Sequence, residues 1–481
     1  MPELKERPKP FLLPEFCKGC GRCISACAKH CIEFGKEINP QTGLVPVVID
    51  LDQCNACGLC ITACPEPYGL RETPVALEFE LEDPEKLFGT RHSTAPEPVE
   101  IPAEILPLPA SEPLVIKGNY ASAIGAILAG CRHFFGYPIT PSTEGAELMA
   151  KLLPLLDGVF VQAVSEVATV NHIYGTGGAG LPCMTFTSSP GFSLMLEGIS
   201  YMIGSEVPGV FVNVMRGGPG LGNIAPEQAD IKLGVRGLGH GNTHAIVLAP
   251  STPQEMLDLT ILAFDLTFKY RNPVVILSDG YLGQMTGKVT LPRTMKKPGI
   301  PAWAVYGDRN HRKNLITSIY LSETDLERHN EHLCEKYAKM AVEARSESYL
   351  CDDAEVVLVA CNTPARAAKG AVQDLRHEGV KAGLFRPITL WPFPIDALLP
   401  LARKAKRLVV VEASAGQLED EIRLALSRSE VRDVVPIEHV RRMGGMLPQQ
   451  DDIVAKVQGS RPLAHSDSDG QVTAKRPEVQ V

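Results

Sequence analysis

Between residues 114 and 291 the chain alternates short, continuously apolar runs with longer amphipathic segments. The runs of strand length are HFFGYP (133–138), VFVQAVS (159–165), PCMTFTSS (182–189), GVFVNVMR (209–216), AIVLAP (245–250) and PVVILSD (273–279). The segments between them have helical patterns, as in TPQEMLDLTILAFDLTFK (252–269). Short apolar strands separated by helices predict a doubly wound α/β domain, with a parallel sheet covered on both faces.

A second, smaller α/β domain is predicted over residues 352–457. Its apolar runs are EVVLVA (355–360), KAGLFR (381–386) and RLVVVEA (407–413). The connecting segment, 292–351, is more polar and includes a charged helical stretch over 323–346. Residues 458–481 are rich in Ser, Asp, Gly and Pro, so we expect a disordered tail there.

The region before residue 114 follows neither pattern. Residues 81–113 contain seven prolines among scattered acidic residues, which predicts an extended linker. Residues 1–80 contain most of the cysteines and form a separate predicted domain.

Composition narrows the classes of protein that fit this arrangement. Of 481 residues, 44% are hydrophobic and 21% are charged, as in soluble globular proteins. A net charge of −9 disfavours a dedicated nucleic-acid binder. No apolar stretch reaches the roughly 20 residues of a membrane span, and the N-terminus has no signal-peptide core. We therefore expect a cytoplasmic protein of two to four domains.

Nine of the fourteen cysteines lie between Cys17 and Cys64, and eight of these nine form one motif written twice. The second copy follows the first after 37 residues at all four positions. Three thiolates at this spacing can hold three corners of a 4Fe–4S cluster, and the trailing fourth binds the neighbouring cluster. The predicted ligands are Cys17, Cys20, Cys23 and Cys64 for one cluster, and Cys54, Cys57, Cys60 and Cys27 for the other.

This stretch resembles the bacterial-type two-cluster ferredoxins, an α+β fold. Zinc is the alternative, but it favours paired CxxC units over triplets with a trailing cysteine. Two positions depart from the pattern. Ala28 replaces the usual proline, and Cys31 is an extra cysteine that we expect to be a small buried hydrophobe.

The letters GTGGAG (175–180) match the dinucleotide-binding fingerprint GxGxxG. That fingerprint must leave a strand and open a helix. Here a helical pattern precedes the glycines and a strand follows them, so a helix C-terminus with a tight turn is predicted.

Polar residues follow several predicted strands, where α/β folds bind their ligands. The loop YPITPS (137–142) offers hydroxyls on a backbone fixed by two prolines, although a rigid turn is an equal alternative. Glu166 follows a buried strand, where it could bind a cofactor or cap a helix. Arg216 precedes GGPGLGN (217–223), and its guanidinium suits a carboxylate, with an ordinary ion pair as the alternative. TSSPG (187–191) is a possible anion rim.

Together YPITPS, SEVA, TSSPG, MRGGPGLGN and GHGN (239–242) resemble the alpha subunit of the 2-oxoacid:ferredoxin oxidoreductases. The resemblance extends to RPITLWPFP (386–394) and VVVEASAGQ (409–417). It implies that 114–291 is the pyrimidine-binding domain of a thiamine enzyme and that 352–457 is transketolase-C-like. It also implies that Glu166 is the acid paired with N1′ of the aminopyrimidine. The 2-oxoacid would then lie beside Arg216 and the loop residues Tyr137, Pro138, Ile139 and Thr140, of which Thr140 and Arg216 would also be catalytic.

The resemblance further implies thiamine diphosphate with Mg²⁺, shared with a beta subunit because this chain has no diphosphate-and-magnesium motif. A gamma subunit, coenzyme A and a ferredoxin acceptor are also implied, and the chain alone should be inactive. GGPGLGN and GHGN resemble the branched-chain 2-oxoacid (2-oxoisovalerate) group most, and Leu221, where several relatives have threonine, agrees with an apolar substrate end. The alternatives are 2-oxoglutarate or another 2-oxoacid, and a non-catalytic electron-transfer adaptor.

Overall fold

The computed structural model describes residues 8–39, 42–66, 69–72, 99–311, 313–429 and 435–459. The chain divides into two compact units, Met1–Thr94 and Ala95–Val481, and each is described separately. All but the first two residues of the predicted C-terminal tail lie outside the described residues.

The first unit is a small α+β domain with an internal repeat. Its strands are β1 (Phe11–Leu12), β2 (Ile32–Phe34), β3 (Val47–Ile49) and β4 (Leu70–Arg71), and they form the antiparallel pairs β1–β4 and β2–β3. A 3-10 helix spans Pro14–Phe16, and α-helices span Arg22–Ala26 and Leu59–Ala63. The glycine before each α-helix has a positive φ, 74° at Gly21 and 79° at Gly58, which a residue with a Cβ rarely adopts. The sequence repeat is therefore also a structural repeat.

The second unit contains the remaining strands and most of the helices. Its strands are β5 (Glu104–Pro107), β6 (Leu114–Lys117), β7 (His133–Gly136), β8 (Val159–Gln162), β9 (Cys183–Thr187), β10 (Val210–Met215), β11 (Ile246–Leu248), β12 (Val274–Asp279), β13 (Thr286–Val289), β14 (Thr294–Lys297), β15 (Ser346–Tyr349), β16 (Val356–Val359), β17 (Ala382–Pro387), β18 (Thr389–Trp391), β19 (Arg407–Glu412) and β20 (Ile437–Arg441). Its α-helices are Gly118–Leu128, Thr143–Leu152, Glu166–Gly178, Ser189–Gly204, Ile231–Arg236, Pro253–Tyr270, Gly280–Gln284, Glu323–Met340, Asn362–His377, Ile395–Lys404, Gln417–Arg428 and Gln450–Gln458. Two 3-10 helices span Leu153–Leu156 and Ala341–Glu343.

The predicted parallel sheet is confirmed. Its order is β18-β11-β12-β10-β9-β7-β8, with β7 to β12 parallel and each within its predicted run. Every residue of β9, β10, β11 and β12 is buried, as expected for strands that helices cover on both faces. The excluded dinucleotide motif begins inside the helix Glu166–Gly178, and Gly180 turns the chain towards β9 at a φ of 74°.

The second sheet has the order β15-β17-β16-β19-β20 and contains all three strands predicted there. β18 lies between two strands of this second sheet in sequence, but it pairs antiparallel with β11 of the first sheet. The part of the chain that forms the second sheet therefore contributes an edge strand to the first sheet, which the sequence did not predict.

The predicted linker over 81–113 needs correction. Residues 81–98 lie outside the described residues. β5 pairs antiparallel with β14, and Ile101 forms a bridge with Ile300, so part of the remainder packs as a strand. Pro107 is the last residue of β5, a position in a two-stranded ribbon that tolerates its missing N–H. In the connecting segment, the predicted charged helix is Glu323–Met340. Among the described residues no helix is long and apolar enough to cross a membrane.

Candidate active site

The carboxyl ends of the parallel strands bring the predicted site residues to one edge of the first sheet. The loop 137–142 follows β7, Glu166 follows β8, residues 187–191 follow β9, and Arg216 follows β10. Ligands in open α/β sheets bind at this edge.

Glu166 is the first residue of the helix Glu166–Gly178 and is only 5% exposed. The Ser165 side chain caps this helix by accepting the N–H of Ala168 at 3.2 Å, so the carboxylate is not needed as the cap. A helix N-terminus carries partial positive charge, which attracts anionic groups.

The backbone of Gly191 packs closely against the Glu166 carboxylate. A Cβ added to Gly191 would lie 2.5 Å from Glu166 Oε1 and 2.4 Å from Thr187 Oγ1. Thr187 Oγ1 is buried and has no hydrogen-bond partner among the described residues. A buried acid beside an unpaired hydroxyl is a polar group set that a bound ligand could complete.

Arg216 is held by backbone carbonyls. Its Nη1 donates to the Thr140 carbonyl at 2.8 Å, and its Nη2 donates to the Leu221 carbonyl at 3.2 Å. Its Nε is buried and has no partner among the described residues. Within that same part of the chain no carboxylate forms an ion pair with Arg216, so the ion-pair alternative is not what the structure has.

The structure thus brings Arg216 to the YPITPS loop, as the site prediction required. Arg216 contacts the backbone carbonyl of Thr140, and Thr140 itself is exposed. Tyr137 and Pro138 are exposed as well, and Ile139 is half-buried. Ser142 donates to the Ile139 carbonyl at 2.7 Å and stabilises the turn.

Asp230 lies beside these groups, although no sequence pattern pointed to it. Its carboxylate accepts hydrogen bonds from Ser189 Oγ at 2.5 Å and from Asn213 Nδ2 at 2.9 Å. Ser189 Oγ in turn accepts the backbone N–H of Arg216 at 3.1 Å. Burial raises the pKa of Asp230 above its ordinary value. These partners lie 41 and 17 residues away along the chain, so no local pattern could have revealed the contact.

Exposed apolar side chains occur beside these groups. Val164, two residues before Glu166, is 88% exposed, and Leu221, whose carbonyl accepts a hydrogen bond from Arg216, is 81% exposed. We call the set the apolar rim, and its members are Val164, Val167, Leu221, Ile224, Met443 and Met446. The two methionines join the rim because Gly444 accepts a hydrogen bond from Asn223 at 3.0 Å.

In the first unit, four predicted cluster ligands line one cavity. Its sulfur-bearing residues are Cys17, Cys20, Cys23 and Cys64. Burial raises the pKa of Cys23 to about 11, and the neighbouring Cys17 and Cys64 add to the effect. Thiols that bind iron must lose their protons, so filling this site would release them.

Of the other four predicted ligands, Cys27, Cys54 and Cys60 lie in the small core of this unit, and Cys57 is half-buried. Burial raises the pKa of Cys60, and charge on Cys54 and Cys57 adds to this. Cys31 is buried, as predicted, and its Sγ lies 3.3 Å from that of Cys27. No group of three or more His, Cys, Asp or Glu that could hold a metal ion occurs in the described ranges. The free thiols around this cavity are of the kind that ligate a four-iron cluster, whose ligands surround a larger body than one ion.

Three family descriptions match the chain, and together they cover all its predicted domains. "Pyruvate flavodoxin/ferredoxin oxidoreductase, thiamine diP-bdg" matches residues 124–349. "Pyruvate:ferredoxin oxidoreductase core domain II" matches 354–453, and "4Fe-4S dicluster domain" matches 16–67.

Several curated proteins are similar over most of their length. The ketoisovalerate oxidoreductase subunit VorB of Methanothermobacter thermautotrophicus is 48% identical over 357 residues, covering 74% of this chain and 99% of that protein. The 2-oxoglutarate synthase subunit KorA of Methanothermobacter marburgensis is 36% identical, covering 73% of this chain and 100% of that protein. Among solved structures, the 2-oxoglutarate:ferredoxin oxidoreductase from Magnetococcus marinus, with 2-oxoglutarate, coenzyme A and succinyl-CoA bound, has a TM-score of 0.65 and 28% identity. That match covers 73% of this chain and 65% of the other.

Proposed function

Because the chain belongs to the 2-oxoacid:ferredoxin oxidoreductases, we propose that it is the alpha subunit of a complex that oxidises a branched-chain 2-oxoacid. The substrate would be 2-oxoisovalerate, converted to acyl-CoA and CO₂ with electrons passed through two 4Fe–4S clusters to ferredoxin. The observation that carries this proposal is the pairing of a buried acid, Glu166, with a buried arginine that has a free donor, at one edge of the sheet.

Glu166 would hold the aminopyrimidine ring of thiamine diphosphate. When bound, this cofactor supplies the electron sink for decarboxylation. The carboxylate would form a hydrogen bond at N1′ of the ring and hold the proton there. Its burial supports this role, because hydrogen bonds to a charged group strengthen where water is excluded.

Arg216 would bind the carboxylate of the 2-oxoacid. Its Nε is free to donate, and the Thr140 and Leu221 carbonyls fix the plane of the guanidinium. A fixed planar fork suits a carboxylate better than a flexible ammonium does. The exposed loop residues Tyr137, Pro138 and Thr140 and the half-buried Ile139 would line the rest of the substrate site.

The first unit would conduct the electrons. Cys17, Cys20, Cys23 and Cys64 would ligate one cluster, and Cys54, Cys57, Cys60 and Cys27 the other. Such clusters transfer electrons singly, with reduction potentials that span roughly −700 to +450 mV.

The names of the relatives indicate a complex of several subunits. We propose that a beta subunit supplies the diphosphate and Mg²⁺ side of the thiamine site and covers the apolar rim, and that a gamma subunit completes the complex. Exposed apolar groups beside a polar site are typical of a surface that a partner buries. The chain alone would then be inactive, and the complex would work in the cytoplasm.

Substrate choice rests on the site and on the relatives together. Leu221 places an apolar, 81% exposed side chain in the arginine loop, which suits a branched-chain substrate. Identity is 48% to a ketoisovalerate oxidoreductase subunit and 36% to a 2-oxoglutarate synthase subunit. We expect kcat/KM of the purified complex to be highest for 2-oxoisovalerate among 2-oxoisovalerate, pyruvate, 2-oxoglutarate and an aryl 2-oxoacid. A preference for 2-oxoglutarate would overturn the substrate assignment alone.

The function is tested by Glu166→Gln in the reconstituted complex. We expect 2-oxoacid oxidation to fall by at least about 100-fold, because the amide cannot share a proton with the pyrimidine ring in the same way. Both clusters should remain reducible by dithionite. Glu147→Gln, an exposed carboxylate on a neighbouring helix, is the matched control and should retain activity. Unchanged turnover in Glu166→Gln would favour the electron-transfer adaptor.

A further inference from the structure

Residues 227–230, which we call the strap, follow the arginine loop and join three parts of the molecule. They contact the loop 217–223, the helix Ser189–Gly204 and the second sheet. None of these residues belongs to the motifs that identify the site. Each contact is made by a different side chain of the strap.

Glu227 fastens the arginine loop. Its carboxylate accepts the N–H of Gly218 at 3.1 Å. Further along, the Gly217 N–H donates to the Ala225 carbonyl at 2.9 Å, and Arg216 forms a bridge with Pro226. The loop depends on such restraints because it has four glycines, the residue with the most backbone freedom to lose on ordering. At Gly222 no other residue fits, since a Cβ would lie 1.7 Å from the Gly217 carbonyl oxygen.

Asp230 fastens the other side of Arg216. It accepts from Ser189 Oγ, which accepts the Arg216 N–H, so the backbone at the end of β10 is fixed to the helix that packs against Glu166. Glu227 therefore restrains the arginine loop, and Asp230 restrains the backbone of Arg216.

Gln228 reaches into the second sheet and is fully buried. Its backbone N–H donates to the Ala413 carbonyl at 2.8 Å, and its Oε1 accepts the Ala413 N–H at 2.8 Å. Its Nε2 donates to the Cys361 carbonyl at 3.2 Å and to Asn362 Oδ1 at 3.1 Å. Ala413 follows β19, and Asn362 begins a helix that packs on the same sheet.

Asn362 in turn forms hydrogen bonds with the first sheet and the loop that follows β11. Its Nδ2 donates to the Leu277 carbonyl at 2.7 Å and to the Pro250 carbonyl at 3.1 Å. Gln228 is therefore bonded to a part of the second sheet whose position relative to the first is itself fixed. A buried amide with several partners is costly to misplace, because any lost partner leaves a buried polar atom unpaired.

We propose that Gln228 is a positioning residue for substrate binding, through which the second α/β domain holds the arginine loop in its binding geometry. This proposal rests on the proposed role of Arg216. A preordered loop binds its ligand more tightly because less conformational freedom is lost on binding. Loosening the strap should then weaken 2-oxoacid binding without touching the groups that carry the reaction.

The test uses Gln228→Met in the complete complex, with two readouts. Methionine has a similar length but cannot donate a hydrogen bond and accepts only weakly, so the side-chain bonds to Ala413, Cys361 and Asn362 are lost while the backbone bond to Ala413 remains. We expect amide hydrogen exchange across residues 216–226 to accelerate by at least about fivefold. We also expect KM for 2-oxoisovalerate to rise by about 5- to 10-fold with kcat within twofold, the signature of lost binding that ground and transition states share.

Asn223→Ala is the second variant, in case Gln228→Met does not fold. It removes the bond from the arginine loop to the Gly444 carbonyl and should change the same two readouts in the same direction. The matched control is Arg236→Met. It removes an ion pair with Glu421, 2.7 Å from Nε to Oε1, between the same two domains but away from the loop.

Wild-type exchange and wild-type KM in both Gln228→Met and Asn223→Ala would overturn the proposal. It would also fail if Arg236→Met gave the same changes, because the effect would then be a general loosening of the domain contact. Arg216→Met separates this proposal from the proposed function. An unchanged KM there would refute the substrate role of Arg216, whereas exchange in Gln228→Met reports on the strap independently.

Discussion

Cys31 contacts a predicted cluster ligand but has no counterpart in the repeat. Its sulfur lies 3.3 Å from Cys27, and both residues are buried. The position 37 residues later is Tyr68, which cannot provide a thiolate. The repeat therefore predicts that Cys27 is a cluster ligand and that Cys31 is only its neighbour.

This distinction gives a prediction for the iron content of two variants. Cys31→Ala should retain about eight iron per chain, because both clusters keep four thiolates each. Cys27→Ala should fall to about four, since one cluster loses a ligand. The measurement is iron and acid-labile sulfide in anaerobically purified complex. Loss of iron in Cys31→Ala would instead make Cys31 a ligand.

The placement of the candidate site residues was predictable where one position along the chain decides it. Glu166 and Arg216 each follow an apolar run, and the carboxyl ends of parallel strands meet at one edge. Asp230 and Gln228 follow no strand, and their partners are distant in sequence. Their importance depends on three-dimensional contacts that the local pattern does not contain.

At the scale of elements, the N-terminus of the helix Ser189–Gly204 connects both halves of the candidate site. Gly191 in its first turn packs against Glu166, and Ser189 at its start bonds to the Arg216 backbone. The acid and the arginine thus share one support. A substitution in this turn should therefore affect both Glu166 and Arg216.

Gly191→Ala tests this support. The added Cβ would lie 2.5 Å from Glu166 Oε1, so the carboxylate must shift, at a cost of about 1–3 kcal/mol. If that cost falls on cofactor binding, the thiamine diphosphate concentration for half-maximal activity should rise roughly 5- to 150-fold. The control is Gly175→Ala, a helical glycine whose Cβ would meet nothing within 4 Å. Equal affinity in both variants would contradict the close packing.

The elements that the sequence missed are those whose pairing partner is distant. The ribbon of β5 with β14 joins residues almost 200 positions apart, and β18 pairs with a strand of the other sheet. Strand existence follows from local patterns, but pairing follows from the way the rest of the chain folds. This difference explains why the parallel sheet was predictable and the pairing of residues 104–107 was not.

For the whole second unit, buried polar contacts join the two sheets. Asp279, at the end of β12, is fully buried and accepts Thr363 Oγ1 at 2.7 Å and the Thr363 N–H at 2.9 Å. Burial raises the pKa of Asp279, and the hydrogen-bond donors around the carboxylate act in the opposite direction because they stabilise its charged form. Thr363 lies in the helix Asn362–His377, which packs on the second sheet.

Thr363→Val should therefore weaken the contact between the sheets. It keeps the shape and removes the hydroxyl donor, so the free energy of unfolding should fall by about 1–3 kcal/mol. Chemical denaturation of the complex and of the Thr286→Val control would measure this. Thr286 is exposed on β13, and its replacement should be close to neutral. Equal stability in the two variants would show that the Thr363 hydroxyl contributes nothing.

β18 also limits how this polypeptide could be divided between two genes. A break in the reading frame between the two thiamine-enzyme domains would leave the first product without the strand that covers β11. Its sheet would then end in a row of unpaired backbone groups, a template for aggregation. The two domains should consequently fold better as one product than apart, whereas the iron–sulfur unit has a core of its own and carries no such constraint.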